Sequence, residues 1–255
     1  MDMLSNAIDV QNLTIGYDSK VLLQNLNFTV KNGEIFVILG GSGCGKSSLL
    51  KNMFGLYQPL GGDVLIEGQN ITTALGADRQ KIMTSFGVMY QEGALFGSMD
   101  LLNNVTLFME EYTQLTRPQM DLLARTKLDL VGLLPYETYM PSEISGGMQK
   151  RAAIARAMAL DPKILFLDEP SAGLDPITSA DLDRTILDLS KNLGITFVIV
   201  SHELASIYSI ADKVVMLDKE SKGIIAEGDP KVLRDTSTDP RVHQFFNRIM
   251  SKEVA

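Results

Sequence analysis

The sequence contains Gly40-Gly41-Ser42-Gly43-Cys44-Gly45-Lys46-Ser47 directly after the apolar run at residues 35–39. An apolar strand, a glycine-rich loop and a helix in this order are typical of a phosphate-binding loop (P-loop), whose backbone N–H groups and helix N-terminus surround an anion. We expect Lys46 to reach the terminal phosphates of a nucleotide and the Ser47 hydroxyl to bind Mg²⁺. The sequence therefore predicts a nucleoside triphosphate site formed by residues 40–47 together with Ser48.

A second apolar run ends in two acidic residues, Asp168 and Glu169. The run at residues 164–167 is typical of a buried parallel strand, and ligands of open α/β folds bind at the carboxyl edge of such a sheet. Asp168 suits Mg²⁺, which prefers hard oxygen ligands. Glu169 is placed to polarise a water molecule against the γ-phosphate. Beside a P-loop in the same chain, this strand end favours a catalytic interpretation.

A third segment combines a serine with two glycines at the start of an alanine-rich helical pattern. Ser145-Gly146-Gly147-Met148 precedes residues 149–159, and a hydroxyl group, exposed N–H groups and a helix dipole together form a second candidate anion site. By itself this segment could be only a capped helix. Together with the P-loop and the acidic strand end, in this order, it resembles an ATP-binding-cassette (ABC) ATPase.

The resemblance covers nearly the whole chain and implies an α/β fold. We expect a P-loop NTPase (RecA-like) core with an antiparallel β subdomain and an inserted α-helical subdomain. The core and β subdomain would take residues 6–91 and 160–230, the helical signature subdomain residues 92–159, and a C-terminal helical tail residues 231–255. In the family, the Ser-Gly-Gly element of one subunit, with Met148 beside it here, closes over ATP held by the P-loop of a second copy.

The resemblance also assigns roles to residues outside these motifs. Tyr17 matches the aromatic residue that stacks on adenine, and Gln91 matches the glutamine that senses Mg²⁺ and the attacking water. His202, after a β-branched run, matches the switch residue that contacts the γ-phosphate, and residues 171–176 resemble a loop that crosses the dimer interface. The implied catalytic residues are therefore Glu169, His202, Gln91 and Lys46, and the implied metal ligands are Ser47, Gln91 and Asp168.

Two positions depart from the usual pattern or call for separate comment. The family commonly has glutamine directly after Ser-Gly-Gly, whereas this chain has Met148 followed by Gln149. Cys44 is the only cysteine, so an intrachain disulfide is impossible and a reducing compartment fits. Since a helix N-terminus can lower the pKa of a thiol, a redox-sensing role for Cys44 is an alternative to a purely structural one.

Details of three segments resemble the ATPases of the Mla/Mce-type phospholipid transporters of bacteria. These segments are residues 91–96, residues 140–148 and residues 239–246. The resemblance implies a second copy of the chain, a multi-spanning membrane permease, a STAS-domain protein and a periplasmic Mce lipid-binding protein as partners. ATP and Mg²⁺ are the implied cofactors, and the cytoplasmic face of the inner membrane, reached through the permease, is the implied location.

Local patterns predict the helices around these motifs. Thr116, Arg117 and Pro118 predict a helix start, and Gly132 a stop. Residues 93–96 are expected to form the edge of an apolar groove where a permease helix docks, or to pack inside the helical insert. At the C-terminus Asp239 caps and Pro240 opens an amphipathic helix whose apolar face comprises Val242, Phe245, Phe246, Ile249 and Met250.

Length and charge narrow the class of protein. The chain of 255 residues can form one substantial core, has no internal repeat and has no apolar stretch of ~18 residues that could span a bilayer. The first residues resemble neither a signal nor a transit peptide, so we expect a cytosolic protein. A net charge of −8 argues against binding nucleic acid or anionic lipid directly.

Other functions share some of these motifs. An ABC ATPase for another solute, such as an amino acid, would have the same catalytic residues. A translation-regulating cassette protein would contain two cassettes, and a chromosome-organising ATPase would contain a long coiled coil between its P-loop and signature; neither pattern is present. A catalytically silent regulator is disfavoured because Lys46, Asp168, Glu169 and His202 are all present.

Overall fold

The computed structural model describes residues 6–18 and 20–247 of the chain. The described residues form two compact units, one containing residues 6–18, 20–73 and 199–247 and the other residues 74–198. We refer to them as unit 1 and unit 2. The division predicted above into core, helical subdomain and tail remains a prediction.

Unit 1 contains an antiparallel sheet and the strand that enters the P-loop. Strands β1 (Asn6–Tyr17), β2 (Lys20–Lys31), β4 (Gly61–Ile66) and β5 (Gln69–Asn70) form the sheet in the order β2-β1-β4-β5. Strand β3 (Ile35–Gly40) is buried along its whole length and leads through the P-loop into helix α1 (Lys46–Met53). The predicted antiparallel β subdomain and the predicted strand, loop and helix are therefore confirmed.

Unit 2 contains parallel strands and the helices that precede, connect and follow them. It begins with α2 (Gly76–Met83) and β6 (Phe86–Met89), followed by α3 (Leu101–Tyr112), α4 (Arg117–Leu130) and two 3₁₀ turns (Leu134–Tyr136 and Pro141–Glu143). Helix α5 (Gly146–Ala157), β7 (Ile164–Asp168), α6 (Pro176–Leu193) and most of β8 (Thr196–Val200) complete it. Strands β6 and β7 pair in parallel, and β7 and β8 are buried throughout.

The predicted limits of α4 are confirmed by its capping contacts. Thr116 and Gln119 form a reciprocal capping box at its start, where Pro118 occupies the first turn. Beyond its end, Gly132 has a φ of +70°, in the left-handed region that glycine tolerates best. Local sequence signals are therefore sufficient to position this helix.

The rest of the chain returns to unit 1. It forms α7 (Leu204–Ile210), β9 (Lys213–Asp218), β10 (Gly223–Gly228), α8 (Pro230–Thr236) and α9 (Pro240–Asn247). Strand β9 pairs in parallel with β3 and antiparallel with β10. Among the described residues, no helix has both the length and the apolarity needed to cross a membrane.

Helix α9 packs on its own unit, as the amphipathic pattern predicts. Val242 and Phe246 are buried, and the Tyr208 hydroxyl donates a hydrogen bond to the Phe246 carbonyl oxygen at 3.1 Å. Arg241 bridges Asp239 and Asp218 at 2.7 and 2.8 Å. Ile249 and Met250, the last two residues of the predicted apolar face, lie outside the described residues.

The cap of α9 predicts a pH-dependent contribution to stability. Hydrogen bonds from Arg241 lower the pKa of Asp239 to about 2. Since a carboxyl pKa lowered by folding stabilises the native state above its unfolded value of about 3.9, this contribution is lost as the pH falls toward 2. Asp239→Asn should therefore lower the free energy of unfolding at pH 7. The difference in this free energy between the variant and the parent should become smaller below about pH 4.

Urea unfolding at a series of pH values measures this difference. Asp188→Asn, an exposed substitution on α6 with the same change of charge, is the matched control. A constant difference between Asp239→Asn and the parent at all pH values would show that the carboxylate charge is not what stabilises the cap.

Candidate functional site

The P-loop in unit 1 begins where two strands come close together. Gly40 pairs with Leu217 of β9 and has a φ of +150°. A Cβ atom at Gly40 would lie 2.5 Å from the Leu217 carbonyl oxygen, so only glycine fits here. Gly45, at the N-cap of α1, also has a positive φ of +104°. These conformations turn the backbone from the end of β3 into the helix.

Two side chains accompany this loop. Lys46 Nζ donates hydrogen bonds to the carbonyl oxygens of Gly40 and Gly41 at 2.9 and 3.1 Å, which holds the ammonium group over the start of the loop. The hydroxyl groups of Tyr17 and Ser48 share a hydrogen bond of 2.8 Å. Half of Tyr17 is exposed, so its ring lies beside the first turn of α1 with a face available for stacking.

The thiol of Cys44 does not have the environment that redox sensing requires. Cys44 is only 3 % exposed, and burial raises the pKa of its thiol above the usual value. Desolvation outweighs the favourable charge of Lys46, which favours the structural alternative over the redox-sensing one. Cys44 packs as a small apolar residue under the loop.

His202 lies in unit 1 on an exposed segment directly after β8. The preceding residue, Ser201, is buried, and its N–H donates to the Ile38 carbonyl oxygen of β3 at 3.2 Å. Its hydroxyl accepts a hydrogen bond from the Glu203 N–H at 3.1 Å. The first contact attaches the residue before His202 to the strand that leads into the P-loop, and the second ties the residue after His202 to Ser201.

In unit 2 the acidic pair lies at the end of β7, as predicted. Asp168 is 7 % exposed, and Glu169 is half-buried with a φ of +49°. A left-handed backbone is uncommon for residues other than glycine and is often found at functional sites. The Glu169 carbonyl oxygen accepts the Ala172 N–H at 3.1 Å, which turns the chain toward α6.

The Ser-Gly-Gly element forms the first turn of α5. Ser145 is its N-cap, and the Ser145 hydroxyl accepts the Met148 N–H at 3.3 Å. Gly146 is exposed and Gly147 is buried, whereas Met148 is partly exposed. The exposed helix start therefore presents N–H groups and the positive end of the helix dipole.

Gln149 does not take the place of the glutamine that usually follows Ser-Gly-Gly. Its side-chain amide donates to the carbonyl oxygens of Pro141 and Ile144, at 2.9 and 3.4 Å. It thus ties α5 to the chain that precedes it. Met148 is the side chain exposed at the signature position.

The segment after the acidic pair contacts the signature helix. Asp175 caps α6 by accepting hydrogen bonds from the Ile177 and Thr178 N–H groups and the Thr178 hydroxyl, and the Thr178 bonds lower its pKa. A Cβ atom added to Gly147 would lie 2.2 Å from Thr178 Cγ2. Gly147 is therefore required for the contact between α5 and α6.

Two buried cations that the sequence patterns did not predict contact the segment after β6. Lys150 and Arg156 of α5 donate hydrogen bonds to the carbonyl oxygens of Gln91, Gly93 and Ala94. Gln91 itself is exposed. The sequence does place these basic residues in an alanine-rich helical pattern typical of a buried helix, but it does not show which groups they contact.

An apolar groove of about 440 Å³ also lies in unit 2. Its walls come from α2, β6, α3 and the end of α5, and include Met83, Tyr90, Phe108, Tyr112 and Arg156. Phe108 and Tyr112 are 40 % and 45 % exposed. Residues 93–96, predicted to form a groove edge, are not among the residues that line this groove. Arg156, which lines it, donates hydrogen bonds to the carbonyl oxygens of Gly93 and Ala94.

Comparison with known families gives an extended match. A family profile described as ABC transporter matches residues 23–172. In structure, the chain is similar to cbiO1 from Clostridium perfringens, part of the ABC transporter complex cbiONQ, with a TM-score of 0.81, 28% identity and 96% of each chain covered. It is also similar to the dimeric cassette MJ0796 bound to ADP and Pi, with a TM-score of 0.77, 26% identity, and 87% of this chain and 98% of that one covered.

Similar curated proteins have two different names. The intermembrane phospholipid transport system ATP-binding protein MlaF of Escherichia coli K12 is 37% identical over 98% of this chain and 92% of its own length. MlaF of Haemophilus influenzae is 39% identical over 96% and 91%. A probable ribonucleotide transport ATP-binding protein, mkl, of Mycobacterium leprae is 40% identical over 94% of this chain and 69% of its own length.

The contact of Gly147 with Thr178 predicts that alanine destabilises the protein much more at position 147 than at position 146. Gly147→Ala should lower the free energy of unfolding by about 1–3 kcal/mol, since the new methyl group must displace a β-branched side chain fixed by Asp175. Gly146→Ala is the matched control, because its Cβ would find no atom nearer than Leu174 Cδ2 at 3.8 Å. Equal stabilities of the two variants in denaturant unfolding would contradict the close packing.

Proposed function

Since this chain belongs to the ABC transporter family, we propose that it is the ATP-hydrolysing subunit of a transporter that moves phospholipids between the inner and outer membranes of bacteria. Membership of the family makes the chain an ATP-binding subunit and an ATPase. The observation that supports phospholipid as cargo is the similarity to MlaF, which extends over 98% of this chain and 92% of that protein.

The P-loop geometry supports specific roles in nucleotide binding. The N–H groups of residues 40–48 would bind the phosphates, helped by the positive end of the α1 dipole. Lys46, held by two loop carbonyl groups, would exchange them for the terminal phosphates. The exposed ring of Tyr17 would stack on adenine while its hydroxyl group remains on Ser48.

The residues proposed for Mg²⁺ fit that ion by their chemistry. Ser47, Gln91 and Asp168 offer a hydroxyl, an amide and a carboxylate oxygen, all hard donors. Within the described part of the chain, no group of three or more His, Cys, Asp or Glu side chains could hold a metal. Such a sparse set of ligands suits Mg²⁺, which retains waters and takes phosphate oxygens as ligands. When bound, the ion would neutralise charge on the transferring phosphoryl group.

Hydrolysis would depend mainly on positioning and electrostatic stabilisation. Glu169, held in a left-handed conformation at the end of β7, would orient the attacking water and accept its proton. His202 and Gln91 would contact the γ-phosphate and the water. The Ser145, Gly146 and Gly147 N–H groups of a second copy, beside Met148, would complete the site, so that two ATP molecules bind between two subunits arranged head to tail.

The remaining partners would connect hydrolysis to transport. The apolar groove of unit 2, with exposed Phe108 and Tyr112, would receive a cytoplasmic helix of a multi-spanning permease. We infer a location on the cytoplasmic face of the inner membrane through this contact. A STAS-domain protein and a periplasmic Mce lipid-binding protein complete the proposed complex.

Replacing Glu169 should separate binding from hydrolysis. Glu169→Gln should retain ATP affinity, because the phosphate-binding groups are unchanged, but slow hydrolysis by roughly 10²–10⁴. The variant should also accumulate as an ATP-bound dimer, measured by size-exclusion chromatography. Lys46→Ala is the companion variant and should lose tight ATP binding. Near-normal turnover of Glu169→Gln would remove Glu169 from the proposed role.

Affinity purification from source membranes in mild detergent tests the cargo. We expect a multi-spanning permease, a Mce protein and a STAS-domain protein to co-purify. Recovery of a permease for ribonucleotides, amino acids or another solute would overturn the phospholipid assignment and leave the ATPase chemistry intact.

The same purification with variants of the groove tests whether the permease binds there. Phe108→Ser and Tyr112→Ser should reduce permease recovery, because they remove exposed aromatic area from the groove. Leu122→Ser, on α4 and 65 % exposed, is the control and should leave recovery unchanged. Equal recovery with all three variants would place the permease elsewhere.

A further inference from the structure

We propose that Lys150 and Arg156 are positioning residues that fix the backbone after β6 on the signature helix, so that Gln91 and the Ser145-Gly146-Gly147 turn move together. This inference rests on the role proposed above for Gln91. It adds a physical link between two proposed parts of the same chain. One is Gln91, which would sense the nucleotide bound by its own subunit, and the other is the Ser145-Gly146-Gly147 turn, which would close over the nucleotide of the second subunit.

The link consists of hydrogen bonds from α5 to three carbonyl groups. Lys150 Nζ donates to the Gln91 carbonyl oxygen. Arg156 donates through Nη1 to the Ala94 carbonyl oxygen at 2.5 Å and through Nη2 to the Gly93 carbonyl oxygen at 2.8 Å. The donors are about 60 residues away in sequence from the acceptors, so these bonds connect two distant parts of unit 2.

Burial makes these contacts specific. Lys150 is 9 % and Arg156 is 6 % exposed, and desolvation lowers the pKa of both side chains. A buried cation that loses its hydrogen-bond acceptors is destabilised, because water does not replace them there. The carbonyl groups of residues 91–94 therefore cannot move away from α5 without a substantial penalty.

The conformation of the segment is consistent with such an attachment. Gly93 and Ala94 have φ values of +72° and +52°. This left-handed conformation costs energy at Ala94 and persists where surrounding contacts hold it. The Gly93 N–H also donates to the Tyr90 carbonyl oxygen at 2.7 Å, which closes a turn around Gln91. Arg156 further lies 5.9 Å from the centre of the Phe96 ring.

The position of both cations on α5 gives the link its functional consequence. Ser145 caps the helix, Lys150 follows within its second turn, and Arg156 lies near its C-terminal end. Arg156 also lines the apolar groove. A partner helix in the groove would therefore contact the guanidinium group that holds residues 93 and 94, and a displacement of α5 would carry the backbone of Gln91 with it.

Steady-state ATPase assays of Lys150→Met and Arg156→Met test this inference in the full chain. We expect kcat to fall between about 10-fold and 10²-fold, since catalytic groups are sensitive to small displacements. The KM for ATP should change less than roughly twofold, because the P-loop and Tyr17 are untouched. Arg156→Lys, which retains one charged donor, should restore part of kcat.

A matched lysine separates positioning from a general loss of stability. Lys127 of α4 is 8 % exposed in the same unit and pairs with Asp161. Lys127→Met should lower thermal stability as Lys150→Met does, without its selective loss of kcat. An equal kcat loss in Lys127→Met, or a normal kcat in both Lys150→Met and Arg156→Met, would overturn the inference.

Combination with Gln91→Ala tests whether the cations act through Gln91. If they do, the double variant Gln91→Ala/Lys150→Met should be no slower than Gln91→Ala alone. Multiplicative losses would show an independent effect and contradict the proposal. An inactive parent protein would instead contradict the proposed ATPase role, so failure of the function and failure of this inference give different results.

Discussion

The close approach of Gly40 to the carbonyl oxygen of Leu217 is the constraint on which the P-loop conformation of unit 1 depends. With only 2.5 Å available for a Cβ atom, β3 and β9 can pair as they do only if the residue at this point is glycine. The same pairing determines where the strand ends and the loop begins, and hence where α1 directs its N-terminus. The next residue of β9, Asp218, binds Arg241 of α9, so the C-terminal helix is attached beside the strand that supports the loop.

Unit 2 is organised by a different kind of constraint, the burial of positive charge. Lys150 and Arg156 attach α5 to the segment that contains Gln91, because they donate hydrogen bonds to backbone carbonyl groups of that segment. At the other end of α5, Gly147 brings the helix against Thr178 of α6, which follows Glu169 after a short loop. One helix thus contacts both the segment of Gln91 and helix α6, which follows the acidic pair in the chain.

Features that depend on neighbouring residues were predictable from the sequence. The P-loop follows from glycine spacing after an apolar run, and the starts of α4 and α9 follow from Thr116, Pro118, Asp239 and Pro240. Features that depend on distant contacts were not. Burial raises the pKa of the Cys44 thiol, and the Gln149 side chain turns toward Pro141 and Ile144. The hydrogen bonds of Arg156 to residues 93 and 94 join parts of the chain about 60 residues apart, and the groove that Arg156 lines does not include residues 93–96.

The same distinction between local chemistry and distant partners applies to the cargo. Relatives named for phospholipid transport and for ribonucleotide transport are 37% and 40% identical to this chain over most of its length. The tasks proposed for these residues are to bind ATP, to orient water and to receive a partner helix, and none of these tasks distinguishes a lipid from a nucleotide as cargo. A helix docked in the groove would be recognised by aromatic area around Phe108 and Tyr112. The permease would then determine which cargo is transported, and this subunit would detect only the shape of the permease helix in its groove. That shape would affect hydrolysis through Arg156 and the backbone to which it is hydrogen-bonded.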